Sequence, residues 1–406
     1  MSRETITAGF IPLLDAAIMV VAREQGFADE EGLELALVRE TSWANIRDRL
    51  AIGHFQVAHM LAPMPIAFNL GLTPLPAPTI VPMALGLGGN AVTVSGELWR
   101  NLEAEGASAD LDPRSAGEAL RRVVARRRSA GRPLLRFAVV HPHSGHNYEL
   151  RYWMAACGID PDVEIDMVIV PPPLMADALE NGSIDGFCVG EPWNTAAVKA
   201  GHGRILTAKA AIWRSSPEKV LGVSAGWGEA RPDTLAALLR AMYRAAQWCA
   251  DAGNRSDLAA MLAEPGYVGR PSEWMLPALS GDLQIAGDAV TRVEDFFLPF
   301  AKAATFPWKS HALWFYSQMA RWGQVEHTPA HLATASGTYR PDLYRLALKP
   351  LGAALPGANA KVEGALRTAT PVGSAGASLT LGPDGFFDES LFDPDQIDAY
   401  IAAQAR

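Results

Sequence analysis

The sequence predicts an α/β protein built from two similar lobes that face each other across a cleft. Three observations carry that prediction. The chain has 406 residues, 49% hydrophobic and 19% charged, which is enough apolar material for two domains or one large bilobal unit. The segment LAIGHFQVAHMLAPMPIAF (50–68) lies over LENGSIDGFCVGEPWNTAA (179–197) without a gap, so that Leu50 falls on Leu179, Gly53 on Gly182 and Pro63 on Pro192. Each half also alternates strand, helix, strand, helix, strand, the signature of a parallel sheet with helices on both faces.

In order, TITAGFIPLLDAAIMVVAREQGF (5–27) reads as strand, loop and helix, followed by the strand LELALV (33–38). LRFAVVHPHSGHNYELRYWMAACGI (135–159) repeats the plan and is followed by VEIDMVIV (163–170). Gly53 and Gly182 suit a left-handed helix cap, and Pro63 and Pro192 suit the first turn of the next helix. GNAVTVS (89–95) reads as a strand crossing between lobes, with a second crossing near 213–223. Lobe I is then 1–92 and 216–406, lobe II 93–215. Residues 233–263 are helical by periodicity and rejoin lobe I, 352–381 read as an irregular tail, and 386–406 end in a short amphipathic helix. In such folds ligands sit beyond the carboxyl ends of the strands, which selects the loops 12–15, 41–45, 60–64, 141–147, 171–174 and 190–194.

Composition narrows the function. A net charge of −9 argues against a nucleic-acid binder, which is usually basic. The arginines of LRRVVARRRSAGR (120–132) fit a solvated helix. Residues 57–96 carry no formal charge, yet six prolines break the stretch, so a buried strand, loop and helix is expected rather than a membrane span. The three cysteines are scattered, which predicts no disulfide framework and a reducing compartment. HPHSGH places His141, His143 and His146 in one loop without an accompanying Cys, Asp or Glu, so hydrogen bonding at a cleft is expected there rather than a metal. No nucleotide, zinc-protease or hydrolase motif is present.

Three dense stretches stand at equivalent strand ends: ETSWANIRDRL (40–50) with Trp43, VGEPWN (189–194) with Gly190, and SSPEKVLGVS (215–224) with Lys219. Alone, Trp43 reads as core packing and Lys219 as a surface lysine beside Glu218. Together, Trp43, His146, the backbone of Gly190 and Lys219 suit a small planar oxyanion: a full charge, directional donors and a flat apolar wall. No nucleophile–base pair accompanies them, so binding rather than catalysis is expected, with no cofactor.

The same runs, together with GGNAVTVS and GSIDGFCVGEPWN, closely resemble the nitrate-binding protein family over roughly residues 5–325. The resemblance implies a type II periplasmic-binding-protein fold, two α/β lobes with the ligand in the cleft between them. It implies a ligand set of Trp43, Asn90, His146, Gly190 and Lys219, with Asn90 standing where the nitrate receptor has glutamine. Histidine and lysine at these positions favour nitrate or nitrite over bicarbonate. The absence of a secretion signal before the first strand favours, within the family, a cytoplasmic nitrate/nitrite sensor that holds and releases an ANTAR-domain antiterminator protein, touching neither nucleic acid nor membrane. The alternative is the substrate-binding component of an ABC nitrate importer. An enzyme on this fold, such as the pyrimidine synthase of thiamine assembly, would need clustered cysteines that Cys157, Cys188 and Cys249 do not provide.

Overall fold

The computed structural model describes residues 3–404. Ten strands form two five-stranded sheets: β1 (Glu4–Phe10), β2 (Leu33–Arg39), β3 (Val57–Leu61), β4 (Thr79–Ala84), β5 (Asn90–Ser95), β6 (Leu135–Val139), β7 (Ile165–Ile169), β8 (Gly186–Gly190), β9 (Gly203–Ala208) and β10 (Lys219–Ser224). The first sheet runs β2-β1-β3-β10-β4 and the second β9-β5-β8-β6-β7. This is the two-lobed α/β architecture expected from the sequence. Within each sheet three strands are parallel. The strand lying antiparallel beside them is β10 in the first sheet and β5 in the second.

The internal repeat maps onto equivalent places. β3 (VAHML) and β8 (GFCVG) are buried along their whole length, as strands covered on both faces require. Before them Gly53 and Gly182 adopt φ of 77° and 71°, which a side chain would strain. Pro63 and Pro192 stand at the N-cap of Met64–Asn69 and Trp193–Lys199, one residue before the position expected for them.

From Asn90 onward, GNAVTVS belongs to the second sheet, and the chain crosses just before it. There Leu87–Gly88 pairs with Phe297–Leu298. The expected helix over 233–263 is two, Pro232–Ala250 and Arg255–Ala263. The tail is more ordered than its composition suggests: Leu355–Pro356 pairs with Ser374–Ala375 and Thr370–Val372 with Leu379–Leu381. Leu355 and Leu381 pack into the core cluster that holds β1; beyond the tail, Phe386 stacks on Trp213 with centroids 4.6 Å apart and Tyr152 donates to Asp388 at 2.8 Å.

The arginine run lies on the helix Pro113–Ser129. That helix buries Ala116, Ala119, Leu120 and Val123 and turns its arginines outward. Arg126 pairs with Glu105 at 2.7 Å and Arg128 approaches Glu164 at 3.5 Å, contacts that add little stability at a wet surface. Among the described residues no helix is long and apolar enough to cross a membrane.

Candidate functional site

Loops from the carboxyl ends of both sheets meet at a buried polar cluster. Asp15 follows β1 in the short turn Leu14–Ala16. Trp43 is the first residue of the helix Trp43–Ala51, which Ser42 caps by accepting from Asn45 N at 3.3 Å; such caps contribute about 1 kcal/mol. His59 sits mid-strand in β3. His146 is the second residue of the helix Gly145–Ala156 after β6, capped by Ser144. Asn90 and Gly190 face each other across β5 and β8, and Lys219 opens β10.

The structure brings all five expected ligand residues into this one cluster. Trp43 is 1% exposed, and Asn90, His146 and Lys219 are fully buried. Lys219 is therefore no surface lysine. Its ammonium lies 2.7 Å from Asp15 Oδ2, 2.7 Å from Glu218 Oε1 and 5.5 Å from the centroid of the Trp43 ring. His146 Nδ1 lies 3.4 Å from the same Glu218 oxygen. A Cβ at Gly190 would meet Asn90 Oδ1 at 2.9 Å and Asp15 Oδ2 at 3.4 Å, so glycine is what lets the lobes close here. They are joined directly as well: Leu14 N donates to Glu191 O at 2.8 Å, and Trp193 Nε1 donates to Pro12 O at 3.1 Å.

Five further residues complete the cluster and were not singled out as site residues from the sequence. Asp15 and Glu218 flank Lys219. His59 Nε2 lies 3.1 Å from Asp15 Oδ1, though without hydrogen-bond alignment, and its ring is 5.3 Å from that of Trp43. Lys209 bridges Glu218 and Glu149, the latter at 2.9 Å. The available signal was polarity out of place: His59 in an otherwise apolar buried strand, and Lys209 in the apolar run LTAKAAIW.

The electrostatics are set by burial and pairing. Burial pushes the Glu218 carboxyl up, but Lys209, Lys219 and His146 reverse that and hold it well below the carboxylate range. Asp15 is likewise lowered, burial being outweighed by Lys219 and His59. Burial raises Glu149 to about 8 despite Lys209. It also lowers His146 to about 3 against the pull of Glu218 and lowers His59 despite its contact with Asp15. At neutral pH two ammonium groups thus face two carboxylates, beside neutral imidazoles.

Hydrogen bonding is far from complete. Trp43 Nε1, both polar side-chain atoms of Asn90, and both ring nitrogens of His146 and His59 are buried without partners. Orphaned buried polar groups cost about 1–3 kcal/mol each, and their convergence on one cluster between two lobes makes it the candidate ligand site. The other histidines of the loop do not join it. His143 Nδ1 contacts the Tyr148 hydroxyl at 3.0 Å, and His143 N donates to His141 Nδ1 at 3.1 Å.

A two-lobed fold with a buried polar cleft at its strand ends defines a periplasmic-binding-protein-like ligand receptor. Residues 2–263 match the NMT1-like family, and the chain belongs to it. It is 38% identical over 357 residues to the nitrate import ATP-binding protein NrtC of Synechocystis, covering 87% of this chain but 51% of that protein. It is 32% identical over 406 residues to the nitrate/nitrite binding protein NrtA of Synechococcus elongatus, covering 98% of this chain and 85% of that one. Among solved structures, the periplasmic nitrate-binding protein NrtA from Synechocystis PCC 6803 superposes with a TM-score of 0.85 at 26% identity, over 100% and 99% of the two chains. The alkanesulfonate-binding protein SsuA of Xanthomonas axonopodis shares the fold, with a TM-score of 0.54 at 14% identity over 78% and 94% of the chains.

Proposed function

We propose that the chain is a nitrate/nitrite receptor that takes the anion into the interlobe cluster, as the substrate-binding component of an ABC-type importer. The observation that carries the reading is the set of unpartnered donors around Lys219. The Trp43 indole N–H, the Asn90 amide, a His146 ring N–H and the remaining ammonium proton of Lys219 supply the directional hydrogen bonds that a flat trigonal oxyanion accepts along its edges. The indole face supplies the wall. Long similarity to one protein named for nitrate import and another named for nitrate/nitrite binding supports the choice of role and of anion.

The cytoplasmic sensor holding an ANTAR-domain antiterminator, which the sequence favoured, rests on the family resemblance alone, whereas one relative above is named for nitrate import and one solved structure is titled a periplasmic protein. The two readings part on compartment and partner: a receptor docks on a permease, a sensor holds a regulator in the cytoplasm.

Nitrate has four heavy atoms, which at roughly −1.5 kcal/mol per atom gives about −6 kcal/mol, a Kd on the order of tens of micromolar. Isothermal titration of the full chain with nitrate and nitrite tests this. Saturable binding in the micromolar range is expected; no binding below millimolar concentrations overturns the assignment. Affinity purification from the native host separates the roles, since recovery of a permease supports the importer and recovery of an antiterminator supports the sensor.

A further inference from the structure

The ligand set implied by family resemblance omits His59, yet this imidazole is fully buried within the cluster. Three elements pack against it. From the turn after β1, Asp15 Oδ1 lies 3.1 Å from Nε2. From the helix after β2, the Trp43 ring stands 5.3 Å away, with its own N–H unpartnered. From β10, Lys219 and Glu218 supply one charge of each sign in its field.

The charge balance of the cluster gives His59 a task. Lys219 and Lys209 are already matched by the carboxylates of Asp15 and Glu218. Nitrate is the anion of a strong acid and brings one negative charge at every physiological pH. Adding it to a sealed, balanced cluster leaves that charge without a counter-ion, which is costly away from water.

We infer that nitrate enters together with one proton drawn from solvent, and that His59 carries it as an imidazolium clamped between Asp15 and the anion. The Nε2–H then donates to Asp15, and Nδ1, unpartnered without ligand, takes up the proton and donates it to the anion. His146 lies 3.4 Å from Glu218, in a field to which Lys219, Lys209 and Asp15 also contribute. It stays neutral and donates one N–H to the anion. Glu149, raised to about 8, is already largely protonated at pH 7 and has little capacity to take up more. Without ligand, burial keeps His59 neutral at pH 7; the anion supplies the field that raises it. The sign follows: binding consumes a proton, so affinity falls as pH rises.

The inference rests on the nitrate-receptor reading and is tested apart from it. Nitrate is titrated calorimetrically into the full chain at pH 7 in Pipes, Hepes and Tris, and the dependence of the apparent enthalpy on buffer ionisation enthalpy counts protons. About one proton taken up per nitrate is expected, with Kd rising about three-fold from pH 6.5 to 7, below the range in which Glu149 ionises. His59→Gln is expected to bind nitrate more weakly, with uptake near zero and a pH-flat Kd. Should that variant fail to fold, the wild-type proton count and pH slope decide alone. Nitrate binding without proton uptake overturns the inference and spares the receptor reading, as does a His59→Gln protein that keeps the wild-type count. Absence of nitrate binding overturns both.

Discussion

Two clusters of lysine and carboxylate lie inside this molecule, and they differ in what they leave unpaired. Near the C-terminus, Lys361 contacts Glu363 and lies 2.6 Å from Asp384. Glu363 also accepts from Ser310 at 2.6 Å, and Asp384 accepts from Leu366 N at 2.9 Å. Only His311 Nε2, 3.4 Å from Glu363, lacks an aligned partner. Between the lobes, Lys219 is held as closely, but Trp43, Asn90, His59 and His146 surround it with orphaned donors and acceptors. The first cluster is a staple that ties the tail to the helix Lys309–Arg321. The second leaves several buried donors and acceptors without partners, and that difference sets a candidate binding site apart from a structural ion cluster.

The largest effect is expected where the comparison is most sharply drawn. Lys219→Glu sets three carboxylates together and should cost more than about 1,000-fold in nitrate affinity, over ~4 kcal/mol, read by calorimetry. It should also lower the melting temperature, because Asp15 and Glu218 lose their shared cation. Micromolar nitrate binding by this variant would break the assignment. Lys361→Met should destabilise the fold by about 3–5 kcal/mol, as for a broken buried pair, seen in urea unfolding, with nitrate affinity unchanged at temperatures where it remains folded. An affinity loss beyond about three-fold would mean that the two clusters are not independent. Trp43→Phe keeps the aromatic wall and deletes one donor. It should weaken nitrate by about 1–2 kcal/mol while leaving apo stability nearly unchanged, since the lost N–H had no partner.

The smallest effect is one of pH. Burial raises the Glu363 carboxyl, but Lys361 and His311 outweigh that and hold it down to about 2. A depressed carboxylate stabilises the folded state fully above its unfolded pKa near 4.5 and loses that contribution as pH falls toward 2. Melting temperature should therefore be flat in this contribution from pH 5 to 7 and drop below pH 4. In Lys361→Met the acid limb should be shallower.

Much of this was legible in the sequence. The repeat of 50–68 on 179–197 gave two equivalent strand ends, and hence Gly190, because capping glycines and helix-leading prolines are local signals, while Trp43 followed from its own strand-to-helix junction. His146 followed from its place in a strand-to-helix loop. Asn90 rested on family resemblance alone. The partners of Lys219 were hidden for a different reason. β10 inserts antiparallel between β3 and β4, a non-local pairing that no periodicity announces, and only that insertion brings Glu218 and Lys219 to Asp15 and His59. Taken alone, Lys219 consequently reads as a surface charge until the sheet order is known. Composition showed the tail 352–381 as irregular, and it is so apart from two short strand pairs, whose non-local partners no periodicity announces.

The central claim is that the orphaned donors between the lobes are the anion site. The indole proton of Trp43 reports on it directly. In 15N-labelled protein its resonance is identified by its absence in Trp43→Phe, and it is followed as nitrate is added. The account predicts a saturable downfield shift of that one resonance, with the midpoint of the calorimetric titration, as the N–H gains a charged acceptor. An indole signal unmoved at saturating nitrate would contradict it.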